Sequence, residues 1–186
     1  MSLRVFGLFL FLVTLTAGSP AAVSAGPDLT DARILDNVFA TVNASPHYTI
    51  FDDVSASVDQ GVVTLSGKVT MGFKRGEFQK RVEAIQGVKQ VIVQFEVLPA
   101  SSFDDALRQQ IARAIYGNAN FWNYAVMRNP PIHIIVDRSR VTLTGLVRSE
   151  VDRRLAQALA TQFSALSVTN ELRTDGDIRG RRDPAY

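Results

Sequence analysis

Apolar and polar positions along this chain follow one order of elements twice. In the first pass Ile34, Val38 and Val42 lie at the spacing of one helix face. Thr30 is placed to cap that helix, and Leu29 to staple onto Ile34. Ser45-Pro46 stops it. Val54, Ala56 and Val58 then alternate with Ser55 and Ser57, which predicts a half-buried strand. Asp59-Gln60-Gly61 is turn chemistry, with Gly61 free to take positive φ, and Val63, Leu65, Gly67 and Val69 continue as a second strand. Phe78, Val82 and Ile85 mark a second helix with Gly87 as its C-cap, and Val91, Val93, Phe95 and Val97 a last strand. Pro99-Ala100-Ser101-Ser102 reads as a linker.

The second pass repeats this order. Ser102 and Asp105 predict a capping box before Leu107, Ile111 and Ile115. Ile132, Ile134 and Val136 match the first strand, and Val141, Leu143, Gly145 and Val147 the second. Ser149 and Asp152 form another box ahead of Val151, Leu155 and Leu159, and Val168 and Leu172 correspond to Val91 and Phe95. V-T-L-[ST]-G-x-V occurs at Val63–Val69 and again at Val141–Val147, with Asp59 and Asp137 upstream at the same offset. The predicted fold class is therefore α+β: two tandem αββαβ modules, each a three-stranded mixed sheet covered on one face by two helices. The free face carries the alternating Ser and Thr residues. Gly67 and Gly145 have a structural role, admitting a helix or neighbouring backbone where a side chain would collide.

This pattern resembles the BON domain family. The resemblance is carried by Val54–Val69, by Gly87-Val88-Lys89-Gln90-Val91 and by the second copy of V-x-L-x-G-x-V. It implies periplasmic proteins, often with two such domains, tied to envelope integrity and osmotic stress, attached to phospholipid and without catalytic residues. The second copy departs from the family pattern. Arg138-Ser139-Arg140 stands where the turn glycine is usual, Ser164-Ala165-Leu166 replaces Gly-Val before the last strand, and about five extra residues precede its first strand.

Residues 1–25 read as a cleaved secretory signal: Arg4, an apolar run from Val5 to Thr16, then Val23-Ser24-Ala25. The run is shorter than the roughly 20 residues of a membrane span. The modules are expected at 29–98 and 102–174, followed by a disordered tail at 175–186, and the destination is a periplasm. The chain has no cysteine, which excludes disulfides and thiolate chemistry. A formal charge of +2 gives no pull toward nucleic acid.

No catalytic, metal or cofactor site is expected. His47 and His133 lie in different copies without acidic neighbours at ligand spacing. His47 reads as solvated and His133 as lying on a strand's polar face. Asp52-Asp53 reads as a turn, and Gly61–Lys68 lacks the spacing of a phosphate loop. The one unusual cluster is Tyr116, Phe121, Trp122 and Tyr124 with Met127, bracketed by Arg113 and Arg128. Aromatics beside guanidinium groups suit peripheral contact with anionic phospholipid or an envelope protein. Phe121 and Trp122 folding back to cap the core is the third reading. A protein-binding adaptor or chaperone-like factor for exported proteins is the alternative function.

Overall fold

The computed structural model describes residues 29–177; residues 1–28, with the expected signal segment, and residues 178–186 lie outside them. Module 1 comprises α1 (Leu29–Asn43), β1 (Asp53–Asp59), β2 (Val62–Val69), α2 (Phe73–Glu83) and β3 (Gln90–Val97). Strand β2 is central, antiparallel to β1 and parallel to β3. Module 2 comprises α3 (Ser102–Tyr116), α4 (Trp122–Ala125), β4 (Ile132–Asp137), β5 (Arg140–Val147), α5 (Glu150–Ala160), β6 (Ser167–Asn170) and β7 (Arg173–Thr174). Here β5 is central, and β6 and β7 are two pieces of one parallel lane interrupted at Glu171-Leu172.

The two hairpins are register-equivalent: Val58 faces Val63 as Val136 faces Val141, and Val54 faces Gly67 as Ile132 faces Gly145. Each module has its own core. Ile34, Val38, Leu65, Phe78 and Phe95 centre the first, and Leu107, Ile111, Phe121, Ile134 and Leu143 the second.

The strand glycines are required by their own hairpins. Gly67 has φ +119° and Gly145 φ +114°, and a Cβ there would lie 2.2 Å from the Asp53 carbonyl oxygen or 1.8 Å from that of Pro131. The backbone approaching each glycine is thus the residue beside the paired strand. Both hairpin turns place two central residues at positive φ, as a primed turn needs: Gln60 and Gly61 in one, Arg138 and Ser139 in the other. A clasp absent from the sequence reading holds both turns. The Asp31 carboxylate accepts from the amides of Gln60 (2.7 Å) and Gly61 (2.9 Å). Asp104 accepts from those of Arg138 and Ser139, both at 2.9 Å. The clasp keeps two non-glycine residues left-handed in module 2, a conformation unfavourable for L-residues by about 1 kcal/mol each.

Several local expectations are corrected. Helix α1 already includes Leu29, one residue before the expected cap Thr30; the Leu29 side chain is outside the described residues. The cap of α3 is Ser101, accepting from Asp104 N, one residue before the predicted Ser102. Helix α2 ends at Glu83 with Ala84 as its C-cap, and Gly87 belongs to the turn beyond it. Alternation in β3 breaks at its end, where Val97 is exposed and Leu98 buried. Val151 points to solvent, and Ala156 and Ala160 turn inward on α5. Asp175–Asp177 form a helical turn in which the Asp177 carboxylate accepts from the Thr174 amide at 2.7 Å.

Gly67→Ala is expected to destabilise module 1 by several kcal/mol, since backbone must move to admit the methyl. Gly76→Ala, in α2 with open space around it, should stabilise by about 0.5–1 kcal/mol. Thermal denaturation of the two variants checks the contrast.

Candidate functional site

The residues added in module 2 fold as a built element. After α3, one 3₁₀ turn (Ala119–Phe121) leads into α4. Phe121 is fully buried and Tyr124 nearly so, their rings 5.9 Å apart. The Tyr124 hydroxyl donates to Asp152 Oδ2 (2.9 Å) and accepts from the Arg148 amide (2.8 Å), while the Arg148 guanidinium lies 5.1 Å from the ring centroid. Tyr116 is half-buried; its hydroxyl donates to the Ile132 carbonyl (2.6 Å) and accepts from the Ile132 amide (3.1 Å). Burial pushes that phenol's pKa up.

The predicted cluster therefore divides. Tyr116, Phe121 and Tyr124 are structural, and Phe121 alone of the expected pair caps the core. Trp122 is 67% exposed, Val126 64% and Met127 48%. Trp122 and Val126, four apart, share one outward face, because inward-facing Phe121 and Tyr124 fix the rotation of this segment. Arg128 is exposed just beyond. Arg113 is exposed on α3, its Nε donating to the Gln109 carbonyl of its own helix, and makes no hydrogen bond to this segment.

A second focus is the junction between the modules. The Ser45–Asp52 segment of module 1 reaches across. Ile50 O accepts from Ile134 N at 2.7 Å, and Ile50 and Phe51 pack against the second core. Asn129 Nδ2 donates to the Asn43 carbonyl (2.6 Å), and Lys68 bridges to Asp137 at 3.4 Å. His133, on the helix-free face of β4, is covered there: its ring lies 5.3 Å from that of Tyr48, and Nε2 is 3.4 Å from the Tyr48 hydroxyl. Its Nδ1 is buried and makes no hydrogen bond. Burial holds the His133 pKa below the ordinary histidine value, outweighing the Asp52 and Thr49 carbonyls and the Asp53 and Asp52 carboxylates. His47, expected to be merely solvated, bonds Glu77 Oε2 at 2.6 Å, a partner thirty residues away.

The reaching segment is pinned by a buried ion pair. Lys74 Nζ lies 2.7 and 2.9 Å from the two Asp52 oxygens. Those oxygens also accept from the amides and hydroxyls of Thr49 and Thr70. Burial alone would raise the Asp52 carboxyl, but the Lys74 ammonium and the Thr70 and Thr49 donors hold it below the usual carboxylate range. Asp52 thus has the turn role its sequence implied, together with a lysine that no local motif reveals. Among the described residues no group of His, Asp and Glu side chains is arranged to hold a metal ion.

The described residues form two tandem helix-on-sheet modules of one architecture. The BON domain family matches residues 30–99 and 103–176, and the chain belongs to that family, whose domain is a non-catalytic binding module. No curated protein matches the sequence. Among solved structures the chain is similar to CdsD, a structural protein of the type III secretion system of Chlamydia trachomatis. The identity is 13%, the TM-score 0.29, with 83% of this chain and 99% of that one covered. The C-terminal domain of CdsD matches at 14% identity and TM-score 0.26, over 74% and 94%. Scores this low carry no argument about fold or function.

Asp52→Asn leaves Lys74 buried without its counter-charge and is expected to lower stability by about 3–5 kcal/mol, measurable by urea denaturation. The junction should weaken in acid. Between its lowered folded value and the unfolded value near 6.5, His133 binds fewer protons folded than unfolded. Its contribution is therefore full above about pH 6.5 and lost as pH falls through the folded value. His133→Gln should flatten that part of the Tm–pH curve.

Proposed function

We infer that this chain is an exported, non-enzymatic envelope-maintenance protein. In this reading module 2 rests peripherally on anionic phospholipid, or on a membrane-associated partner, through the outward face of α4. The supporting observation is the fixed presentation of Trp122, Val126 and Met127 by buried Phe121 and Tyr124, with Arg128 adjacent. Indole and thioether groups suit the interface between headgroups and acyl chains, and a guanidinium suits phosphate. A surface anchored from beneath needs little ordering on contact, so more of its burial energy is available for binding. Membership of the BON family and the apolar N-terminal run support export to the envelope. No helix among the described residues is long and apolar enough to cross a membrane.

The chain has one tryptophan, so its fluorescence reports this face directly. Vesicles containing phosphatidylglycerol should shift Trp122 emission to the blue and co-sediment the protein, while phosphatidylcholine vesicles should bind less. Trp122→Ala with Arg128→Ala should weaken sedimentation by about tenfold or more, the equivalent of burying one large apolar side chain. Unchanged emission with both lipids would remove the membrane reading and leave a protein-binding adaptor.

A further inference from the structure

The two modules treat the same strand edge in opposite ways. In a hairpin closed by a two-residue turn, residue pairs alternate between hydrogen-bonded and open. The outward main-chain groups of β4 thus belong to Ile132, Ile134 and Val136, and those of β1 to Val54, Ala56 and Val58. In module 2 each of the three is met. The Tyr116 hydroxyl bonds both groups of Ile132, the Ile50 carbonyl takes the Ile134 amide, and the buried Arg108 guanidinium donates to the Val136 carbonyl. In module 1 no described residue hydrogen-bonds the outward groups of Val54, Ala56 or Val58. Asn43 and Leu35 occupy the α1 positions that match Tyr116 and Arg108 on α3, and neither side chain has the reach and donor geometry of those two. Burial follows suit: Ile132, Ile134 and Val136 are fully buried, whereas Val54, Ala56 and Val58 are only partly so.

The open edge adjoins a cleft of about 850 Å³ between the modules. Val54 and Ser55 of β1 line it together with Phe39, Tyr48, Pro131 and Leu146. Phe39 and Leu146 are both partly exposed there. Asp53 and Asp59 bracket the strand; Asp53, Glu171 and Arg173 line the same cleft.

We propose that the outer edge of β1 is a binding site for an extended segment of another polypeptide, which adds to the sheet as a fourth strand. Its main chain would pair with Val54, Ala56 and Val58, and an apolar side chain near one end would enter the cleft between Phe39 and Leu146. The acids at both ends of β1 favour a segment flanked by basic residues. Strand addition uses main-chain bonds for affinity and alternate side chains for selectivity. Module 2 cannot offer this site, because its own side chains and the Ile50 carbonyl fill it. This inference stands apart from the membrane reading, which concerns α4.

The probe is a synthetic peptide of alternating valine and threonine with a lysine at each end, titrated into the full chain and followed by amide NMR. Expected are shifts and slowed hydrogen exchange at Val54, Ala56 and Val58, with Ile132, Ile134 and Val136 unmoved. Ala56→Pro removes an outward donor at an edge where proline is tolerated and should weaken binding about tenfold. No binding at millimolar peptide, shifts confined to the β3 edge, or affinity unchanged in Ala56→Pro would overturn the proposal. If that variant does not fold, the wild-type Ala56 amide decides. Fast exchange in the free chain that slows with peptide supports the site, and protection already present without peptide refutes it.

Discussion

A strand edge carries donors and acceptors that must be bonded or hydrated, and this constraint explains most of what differs between the two halves of the chain. An edge removed from water has to find partners for every main-chain group. Module 2 buries its hairpin edge, and three otherwise unrelated features follow. Tyr116 ends α3 as an aromatic whose hydroxyl bonds main chain, Arg108 sits buried on the same helix, and the Ser45–Asp52 segment crosses from module 1 to supply the Ile50 carbonyl. Once the edge is sealed, Ile132, Ile134 and Val136 can be fully buried and bulky. Module 1 leaves its edge without hydrogen-bond partners among the described residues, and carries Val54 and Ala56 where module 2 has Ile132 and Ile134.

What the halves share is the means of building the hairpin. A left-handed turn, an aspartate from the preceding helix clasping two turn amides, and a strand glycine pressed against a carbonyl recur in both. The aspartate clasp lets module 2 dispense with a turn glycine. Asp104 supplies two charge-assisted bonds of the stronger class, enough to hold Arg138 and Ser139 at positive φ. The second copy could therefore change its turn while keeping its register.

The junction combines hydrogen bonds and an ion pair with the packing of Ile50 and Phe51 on the second core. Asp52 and Lys74 are buried together, which stabilises little relative to an apolar pair but penalises the loss of either partner heavily. That pair fixes the segment from which Tyr48 and Ile50 reach the second module. The position of His133, the β4 edge and the inter-module cleft all depend on it.

The repeat, the class of fold and the strand glycines were legible in the amino-acid sequence, because periodicity and V-x-L-x-G-x-V report on backbone conformation and burial within a few residues. The paired aspartates carry a sequence signal too, since Asp31 and Asp104 stand three residues before Ile34 and Leu107 at matching positions of the two helices. The aromatic cluster was visible as composition, but its division into buried Phe121 and Tyr124 and exposed Trp122 depends on a short helix whose rotation is set by the core beneath. Lys74 beneath Asp52, Glu77 beside His47, Tyr48 on His133 and the Ile50 carbonyl on Ile134 join residues far apart in the chain. Such partners are chosen by chain closure and by the cost of leaving buried polar groups unpaired. By itself the sequence determined two glycine-marked helix-on-sheet units; only the tertiary structure decided which edge is sealed, which is open and which aromatic faces outward, because those outcomes depend on groups that meet only after folding.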